Sequence, residues 1–367
     1  MEFIYYSADY VAPRTDIDVR RFGVYYTVYG RLVAPLDRTE TIKFPVKTRN
    51  LFPIPKINGV GFKLSYSDIC DARAVEILAR ADTLDCPIFV FWSGGVDSTT
   101  ALVSLLRTAT PAHRERIVVM LSEDSILEYP EFYKKHIRTK LRCQSSVLFP
   151  HMLGMKVLFV CGEGNDQLMG SDITAAAIKQ FGIDKIKGRY DRKLFEEFFT
   201  TRMRGDVETA KLFVKLFDKL RHASPFEIKT NFEQLWWINF STKWQTVYAR
   251  GLCYTARANA LRMSKKWCEI YYVPFFMNET FQLWSMHNTD QRIRDGWASY
   301  KWPAKELIFD YTKDPVYRDN KLKRGSLDFL IRLHQDRNFL DSTFTFHDEV
   351  DPAEFYREDH DFRWDAK

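Results

Sequence analysis

Short, continuous apolar runs alternate with amphipathic stretches in the middle of the chain. The runs Ile88–Trp92, Ile117–Leu121 and Val157–Cys161 have the length of strands and no polar face, which is typical of parallel strands covered on both sides. Apolar residues at helical spacing follow the first run over Thr99–Arg107 and the third over Ile173–Phe181. This order of strand, turn and helix predicts an α/β fold with a parallel sheet.

The flanking regions have different patterns. Residues 1–85 contain β-rich stretches broken by proline and glycine and end in helical spacing over Asp71–Ala81, so we expect a small β-rich N-terminal unit. Beyond about residue 190 the spacing is mainly helical, over Leu194–Met203, Val207–His222, Asn231–Ala249, Ala256–Trp267 and Asn278–Trp284. We therefore predict one domain over residues 86–345, with an α/β core and a helical remainder, and an acidic tail over residues 346–367.

Composition narrows the class of protein. A hydrophobic share of 46% and a charged share of 28% are typical of a globular protein with a sizeable core. The six cysteines are widely spaced without a C-x-x-C pair, which disfavours a zinc ribbon and a disulfide framework. No segment resembles a signal peptide or a membrane span, so we expect a cytoplasmic protein without membrane contact. The net charge of +6 suits a protein that handles polyanions, and it permits a nucleic-acid partner without requiring one.

The turn after the first apolar run contains candidate phosphate-binding residues. Its sequence is Ser93-Gly94-Gly95-Val96-Asp97-Ser98, and Thr99 follows. Two glycines allow the backbone N–H groups to approach phosphate oxygens, and the following helix directs its positive N-terminus at the same anion. Asp97 suits such a pocket if a divalent cation such as Mg²⁺ bridges its carboxylate and the phosphates. The structural alternative is a tight turn in which Asp97 caps a helix.

A second glycine-rich turn follows the third apolar run. It reads Cys161-Gly162-Glu163-Gly164-Asn165-Asp166. Ligands of parallel sheets bind beyond the carboxyl ends of the strands, so we expect the two turns to meet at one site. A glycine-rich surface loop is the alternative for this stretch.

Together the two turns resemble the ATP pyrophosphatase, or PP-loop, superfamily. Ser93–Ser98 is similar to its pyrophosphate loop, and Cys161–Gly170 is similar to a loop of the synthase domain shared by asparagine synthetases and β-lactam synthetases. The resemblance spans about residues 86–329 and leaves out the glutaminase domain of the glutamine-using enzymes. It implies a PP-loop domain with Mg²⁺ shared by Asp97 and Asp166, and with ATP on Ser93, Gly94, Gly95, Val96, Asp97, Ser98, Thr99, Cys161, Gly162, Glu163 and Gly164.

Two weaker matches to the same family lie downstream. The stretch Arg262–Glu269 is similar to a block in which a glutamate supports acid–base chemistry, which makes Glu269 a catalytic candidate, although its register is shifted by one residue. The stretch Lys321–Ser326 is similar to a segment whose lysine stabilises charge on the adenylate and on pyrophosphate, and Lys323 takes that position. An ordinary exposed acid and a solvated basic loop are the respective alternatives.

The resemblance implies an ATP-dependent, AMP-forming carbon–nitrogen ligase. Such an enzyme adenylates a small-molecule carboxylate, releases pyrophosphate, and joins the acyl group to nitrogen from ammonia, a substrate amine or a separate nitrogen-donating partner. One alternative is a PP-loop enzyme that modifies tRNA or a nucleobase, which the lack of clustered cysteines disfavours. A nucleotide-binding module without chemistry is another. The sequence does not identify the acyl substrate or the nucleophile.

Overall fold

The fold is seen in a computed structural model that describes residues 35–42, 49–57, 61–152, 155–248 and 265–321. Several sequence-based predictions lie outside these ranges. They are the strands before residue 35, most of the helix over Ala256–Trp267, the candidate Lys323, and the acidic tail.

Within these ranges a five-stranded parallel sheet forms the centre of the molecule. The strands are β1 (Ile88–Phe91), β2 (Ile117–Leu121), β3 (Arg142–Ser145), β4 (Leu158–Cys161) and β5 (Tyr272–Pro274), in the order β3-β2-β1-β4-β5. All four neighbouring pairs are parallel. The predicted α/β class with a parallel sheet is therefore confirmed.

The register of the sheet aligns the carboxyl ends of the central strand β1 and of its neighbour β4. Val90 of β1 pairs with Val119 of β2 on one side and with Val160 of β4 on the other. The glycine-rich turns after β1 and β4 consequently leave the sheet side by side at its carboxyl edge. The chain reverses its direction of growth between these strands, and such a switch point is where open parallel sheets bind ligands.

Helices cover the sheet and continue the chain beyond it. They are α1 (Tyr66–Leu84), α2 (Val96–Thr108), α3 (Pro111–Arg116), α4 (Glu123–Glu128), α5 (Pro130–Phe132), α6 (Phe149–Met152), α7 (Asn165–Met169), α8 (Ser171–Phe181), α9 (Ile183–Lys187), α10 (Arg192–Arg202), α11 (Val207–His222), α12 (Asn231–Thr242), α13 (Lys265–Tyr271), α14 (Glu279–His287), α15 (Trp302–Thr312) and α16 (Pro315–Asn320). A π-helical turn, Tyr133–Ile137, continues α5, and short 3₁₀ turns occupy Ser146–Leu148, Thr289–Gln291 and Trp297–Ser299.

Two groups of helices position the candidate site. Helices α1, α2 and α15 pack against one another, so the helix that follows the first glycine turn is held from two sides. Helices α12 and α14 pack against α7, the short helix that follows the second turn. The core between these elements is rich in aromatic residues, and Trp236, Trp237 and Trp284 are completely buried.

Part of the N-terminal region, described over residues 35–42 and 49–57, lies against helix α12. The backbone N–H of Leu36 donates to Thr242 and that of Arg38 donates to Ser241, at 2.8 and 2.9 Å. The Arg38 guanidinium is buried, donates to carbonyl oxygens that include that of Phe240, and lies over the ring of Trp244. Burial lowers the pKa of Arg38 to about 9. These residues therefore contribute to the packing of the helical half.

The sequence pattern did not predict the strands β3 and β5. In each case a physical reason explains why the strand lacks the usual apolar pattern. Strand β3 is the edge strand and contains Arg142 and Ser145, which are exposed, so it has no apolar run. Strand β5 spans three residues and ends in a proline, which is tolerated because it is also at an edge. In the part of the chain that the structure describes, no helix combines the length and apolarity needed to cross a membrane.

Candidate active site

The first glycine turn leads directly into the N-terminus of α2. Gly95 is the N-cap residue, and among the described residues no side chain caps this helix end. Gly94 has φ +73°, and a Cβ there would lie 2.5 Å from the carbonyl oxygen of Ser125, so glycine is required both by the backbone and by the closeness of α4. The N-terminus of α2 therefore offers backbone N–H groups and a positive dipole to an anion.

Side chains of the turn hold its shape. The hydroxyl of Ser98 accepts from the backbone N–H of Ser93 at 3.0 Å, lies 3.1 Å from the Ser93 hydroxyl, and donates to the carbonyl of Gly95. On the opposite side the hydroxyl of Tyr317 donates to the carbonyl of Gly94 at 2.9 Å. These contacts fix the turn before any ligand is present.

Thr99 lies beneath the turn. Its side chain is fully buried, and its hydroxyl accepts a 3.0 Å hydrogen bond from the indole N–H of Trp92. The resemblance places Thr99 among the nucleotide-binding residues, whereas the structure directs its hydroxyl into the core. This contact joins the end of β1 to the start of α2.

The second glycine turn packs directly on the first. A Cβ at Gly162 would lie 2.7 Å from the backbone nitrogen of Ser98 and 2.8 Å from the carbonyl carbon of Asp97. Gly164 has φ +104° and begins helix α7. Cys161 is buried and its thiol lies 3.6 Å from the hydroxyl of Tyr272. The absence of a side chain at Gly162 is thus what allows the two turns to touch.

Asp97 and Asp166 converge on a single point, which is occupied by the ammonium group of Lys301. The Nζ atom of Lys301 lies 2.5 Å from Oδ2 of Asp97 and 2.6 Å from Oδ1 of Asp166. A further 2.7 Å contact joins it to Oδ1 of Asp97. The Lys301 side chain is 6% exposed, whereas each carboxylate side chain retains 25% of its accessible surface. Each carboxylate therefore retains some exposure to solvent, whereas the lysine is nearly fully buried.

Neutral side chains orient the two carboxylates. The amide of Asn165 donates to Oδ1 of Asp97 at 2.7 Å, and its own carbonyl oxygen accepts from the hydroxyl of Tyr66 at 2.8 Å. The hydroxyl of Tyr300 donates to Oδ1 of Asp166 at 3.1 Å. Burial raises the pKa of the Asp97 carboxyl, the Lys301 ammonium opposes that rise, and the negative charge of Asp166 adds to it. Ionisation of Asp97 is therefore less favourable in the folded protein, chiefly because the carboxyl is buried and secondarily because Asp166 is a like charge.

Two further lysines flank the site. Lys305 is 2% exposed, and its ammonium donates to the carbonyl oxygens of Ala298 and Lys321 at 2.6 and 2.7 Å. It thereby fastens the segment before α15 to the segment after α16. The ammonium of Lys321 pairs with Glu128, whose side chain packs against Gly94. Burial lowers the pKa of Lys305 to about 8, and the nearby charge of Lys321 adds to this effect.

The residues present fit a divalent cation and a polyphosphate. An ammonium group already lies where two carboxylates from neighbouring strand ends converge, which makes it a stand-in for a cation. The described residues place no group of three or more His, Cys, Asp and Glu side chains around one point. Two carboxylates suffice for Mg²⁺, which usually takes one or two from the protein and completes its shell with phosphate oxygens and water. The adjoining glycine turn and uncapped helix end supply the phosphate-binding groups.

The two remaining catalytic candidates are Glu269 and Lys323. Glu269 is exposed on α13, at the amino end of β5, and its backbone carbonyl accepts from Arg80. It therefore precedes β5, whereas Asp97 and Asp166 follow the carboxyl ends of β1 and β4. Lys323 is outside the described residues.

Three residues at the site carry roles that the sequence did not assign. They are Lys301, Asn165 and Tyr300. Asn165 is within the second glycine turn, directly before Asp166, so its position was a usable signal. Lys301 is 204 residues away from Asp97 in the sequence, so no local pattern joins the two.

Comparison of the chain with models of known protein families gives no match, and comparison with curated proteins gives no significant match either.

Proposed function

We propose that this protein is an ATP- and Mg²⁺-dependent enzyme of the PP-loop type, which adenylates a carboxylate and then forms an amide-type carbon–nitrogen bond. The observation that carries the proposal is the convergence of Asp97 and Asp166 on one cation position beside the uncapped N-terminus of α2. A helix cap or a surface loop would not require two acidic side chains to share a cation. Their placement at neighbouring strand ends is what a nucleotide–metal site requires.

Each group in the site has a part in the proposed first step. The backbone N–H groups of Gly95 and the first turn of α2 bind the phosphates, and Asp97 and Asp166 hold the cation. Mg²⁺ held by these two carboxylates would supply positive charge that offsets the charge of the leaving pyrophosphate. An oxygen of the substrate carboxylate attacks the α-phosphorus, the bond from that phosphorus to the bridging oxygen breaks, and pyrophosphate leaves. Positioning and charge neutralisation provide most of the rate increase.

The second step transfers the acyl group to nitrogen. An amine or ammonia attacks the acyl carbon of the adenylate, the carbon–oxygen bond to the phosphate breaks, and AMP leaves while the nitrogen loses a proton. Because Glu269 precedes β5 and does not follow a carboxyl strand end, we do not assign it as the base for that proton.

The products of ATP turnover test the proposal. The full chain is incubated with Mg²⁺, ATP labelled in the α-phosphate, and pools of carboxylates with ammonia or amines. We expect labelled AMP and an equal amount of pyrophosphate, and we expect ¹⁸O from a labelled carboxylate to appear in AMP. The Asp310→Asn variant, which changes an exposed acid of α15, serves as the matched control for variants of Asp97 and Asp166. Formation of ADP and phosphate would refute the proposed chemistry.

A further inference from the structure

We propose that Lys301 is a built-in counter-ion that keeps free divalent cations out of the position between Asp97 and Asp166, so that the metal binds there only together with a polyphosphate. The inference rests on the proposed function for the identity of the polyphosphate. The geometry that carries it is the direct contact of one ammonium with both carboxylates.

The charge balance explains why free metal is excluded. Two carboxylates and one ammonium sum to −1, and a divalent cation cannot share the point that the ammonium occupies. Free metal must therefore displace Lys301, whose side chain is almost fully buried and then loses its partners. Leaving a buried charge unpaired is strongly unfavourable. A metal that arrives with a polyphosphate brings new negative charge, which offsets that loss.

The backbone indicates that Lys301 is at this position for its charge. It is the N-cap residue of α15 and has φ +62° and ψ +35°, a left-handed conformation that is unfavourable for a non-glycine residue. N-caps are normally Ser, Thr, Asp or Asn, and a positive charge at a helix N-terminus opposes the helix dipole. Local helix stability would therefore select against lysine here, and the two carboxylates supply the compensating interaction.

Surrounding contacts hold Lys301 in this strained conformation. Its backbone N–H donates to the carbonyl of Arg292 at 3.1 Å, and its carbonyl accepts from the backbone N–H of Lys305 at 3.0 Å. The neighbouring Tyr300 hydroxyl contacts Asp166. The lysine is thus presented to the carboxylate pair by a fixed backbone, and only its side chain needs to move when the metal enters.

Binding of Mn²⁺ without nucleotide tests the inference. Free Mn²⁺ is followed by electron paramagnetic resonance during titration of the wild-type chain and of Lys301→Met. We expect Lys301→Met to bind Mn²⁺ about tenfold more tightly or better, a factor within the usual range of coupling between two sites. Lys313→Met, which removes an exposed lysine at the other end of α15, should behave as wild type. An affinity of Lys301→Met no higher than that of these two proteins would overturn the inference.

A double variant locates the gained affinity. Lys301→Met combined with Asp166→Asn should lose the increase in Mn²⁺ binding, because only one carboxylate remains at the point. An increase that survives in the double variant would mean that the metal binds elsewhere, and the inference would be wrong.

The wild-type chain provides a test that needs no folded Lys301 variant. Calorimetry measures its affinity for the α,β-methylene analogue of ATP with and without Mg²⁺, and its affinity for Mn²⁺ alone. We expect Mg²⁺ to tighten binding of the analogue about tenfold or more, whereas Mn²⁺ alone binds no more tightly than millimolar. Micromolar binding of Mn²⁺ alone would contradict the inference. None of these measurements uses turnover, so they stand or fall separately from the release of pyrophosphate.

Discussion

Lys301 and Lys305 are four residues apart at the start of the same helix, and both are nearly fully buried, yet their ammonium groups have different partners. Lys301 contacts two carboxylates that remain partly exposed, whereas Lys305 contacts two backbone carbonyls. Carbonyl oxygens of fixed segments have no role apart from accepting these bonds. Carboxylates can exchange an ammonium for a metal ion. Both lysines are buried, so burial alone does not distinguish their roles. The partners of the ammonium group do: carboxylates indicate a ligand-binding site, and backbone carbonyls indicate a structural contact.

The largest expected effect is a loss of activity when either carboxylate that contacts Lys301 is removed. Asp97→Asn and Asp166→Asn should each reduce the rate of pyrophosphate release about 100-fold or more, because each removes charge that holds the metal over the phosphates. Circular dichroism and thermal unfolding should show a retained fold. Near-normal turnover in either variant, measured beside Asp310→Asn, would contradict the claim that the carboxylate partners of Lys301 form the active site.

At the Lys305 end the expected effect is on stability. Lys305→Met leaves the carbonyls of Ala298 and Lys321 without this donor and should lower the free energy of unfolding by about 2 kcal/mol, judged by urea denaturation. Lys301→Met should cost less, because its carboxylate partners are partly exposed and can take up a proton or water. If Lys301→Met is the more destabilising of the two, then Lys301 has the structural role and the comparison is reversed.

The Ser93–Ser98 turn and the adjoining Thr99 offer a second comparison between a structural contact and a contact at the candidate site. Thr99→Val removes the acceptor of the Trp92 indole N–H and should cost about 1 kcal/mol of stability, with the rate of ATP turnover nearly unchanged. Ser98→Ala removes contacts that shape the exposed face of the turn and should slow turnover. Loss of turnover in a well-folded Thr99→Val protein would support the assignment of Thr99 to the nucleotide site.

The last prediction concerns the pH dependence of stability. The pKa of Lys305 is about 8 in the folded protein and 10.5 in its ordinary state. Between these values the unfolded chain binds more protons than the folded one, so raising the pH should stabilise wild type relative to Lys305→Met. The neutral amine retains two N–H donors for the same carbonyls. A stability difference that falls between pH 8 and 10 would show that the ammonium form is the preferred one.

The central strands and the meeting of the two turns were predictable because they depend on local patterns. Ile88–Phe91 and Leu158–Cys161 are continuous apolar runs, and a glycine turn after each places Asp97 and Asp166 at one edge of a parallel sheet. The structure adds the strand order, in which β1 lies beside β4 and the two turns are neighbours.

The contribution of Lys301 was not predictable in the same way. Its contact with Asp97 is a tertiary one across most of the chain, and a lysine before a helix carries no periodic or motif signal. Glu269 shows the converse problem, since a matching motif placed it near the chemistry while the parallel direction of β5 puts it at the amino edge of the sheet. Motif position reports chemistry only when the direction of the strand is also known.

The most direct test of the central claim is a crystal structure of the full chain with Mn²⁺ and the α,β-methylene analogue of ATP, with the metal located by its anomalous signal. The account predicts a manganese peak between the carboxylates of Asp97 and Asp166, the triphosphate on the Ser93–Ser98 turn, and the Lys301 ammonium moved away from its present position. A nucleotide bound elsewhere, or a metal that leaves the three side chains as they are, would contradict it.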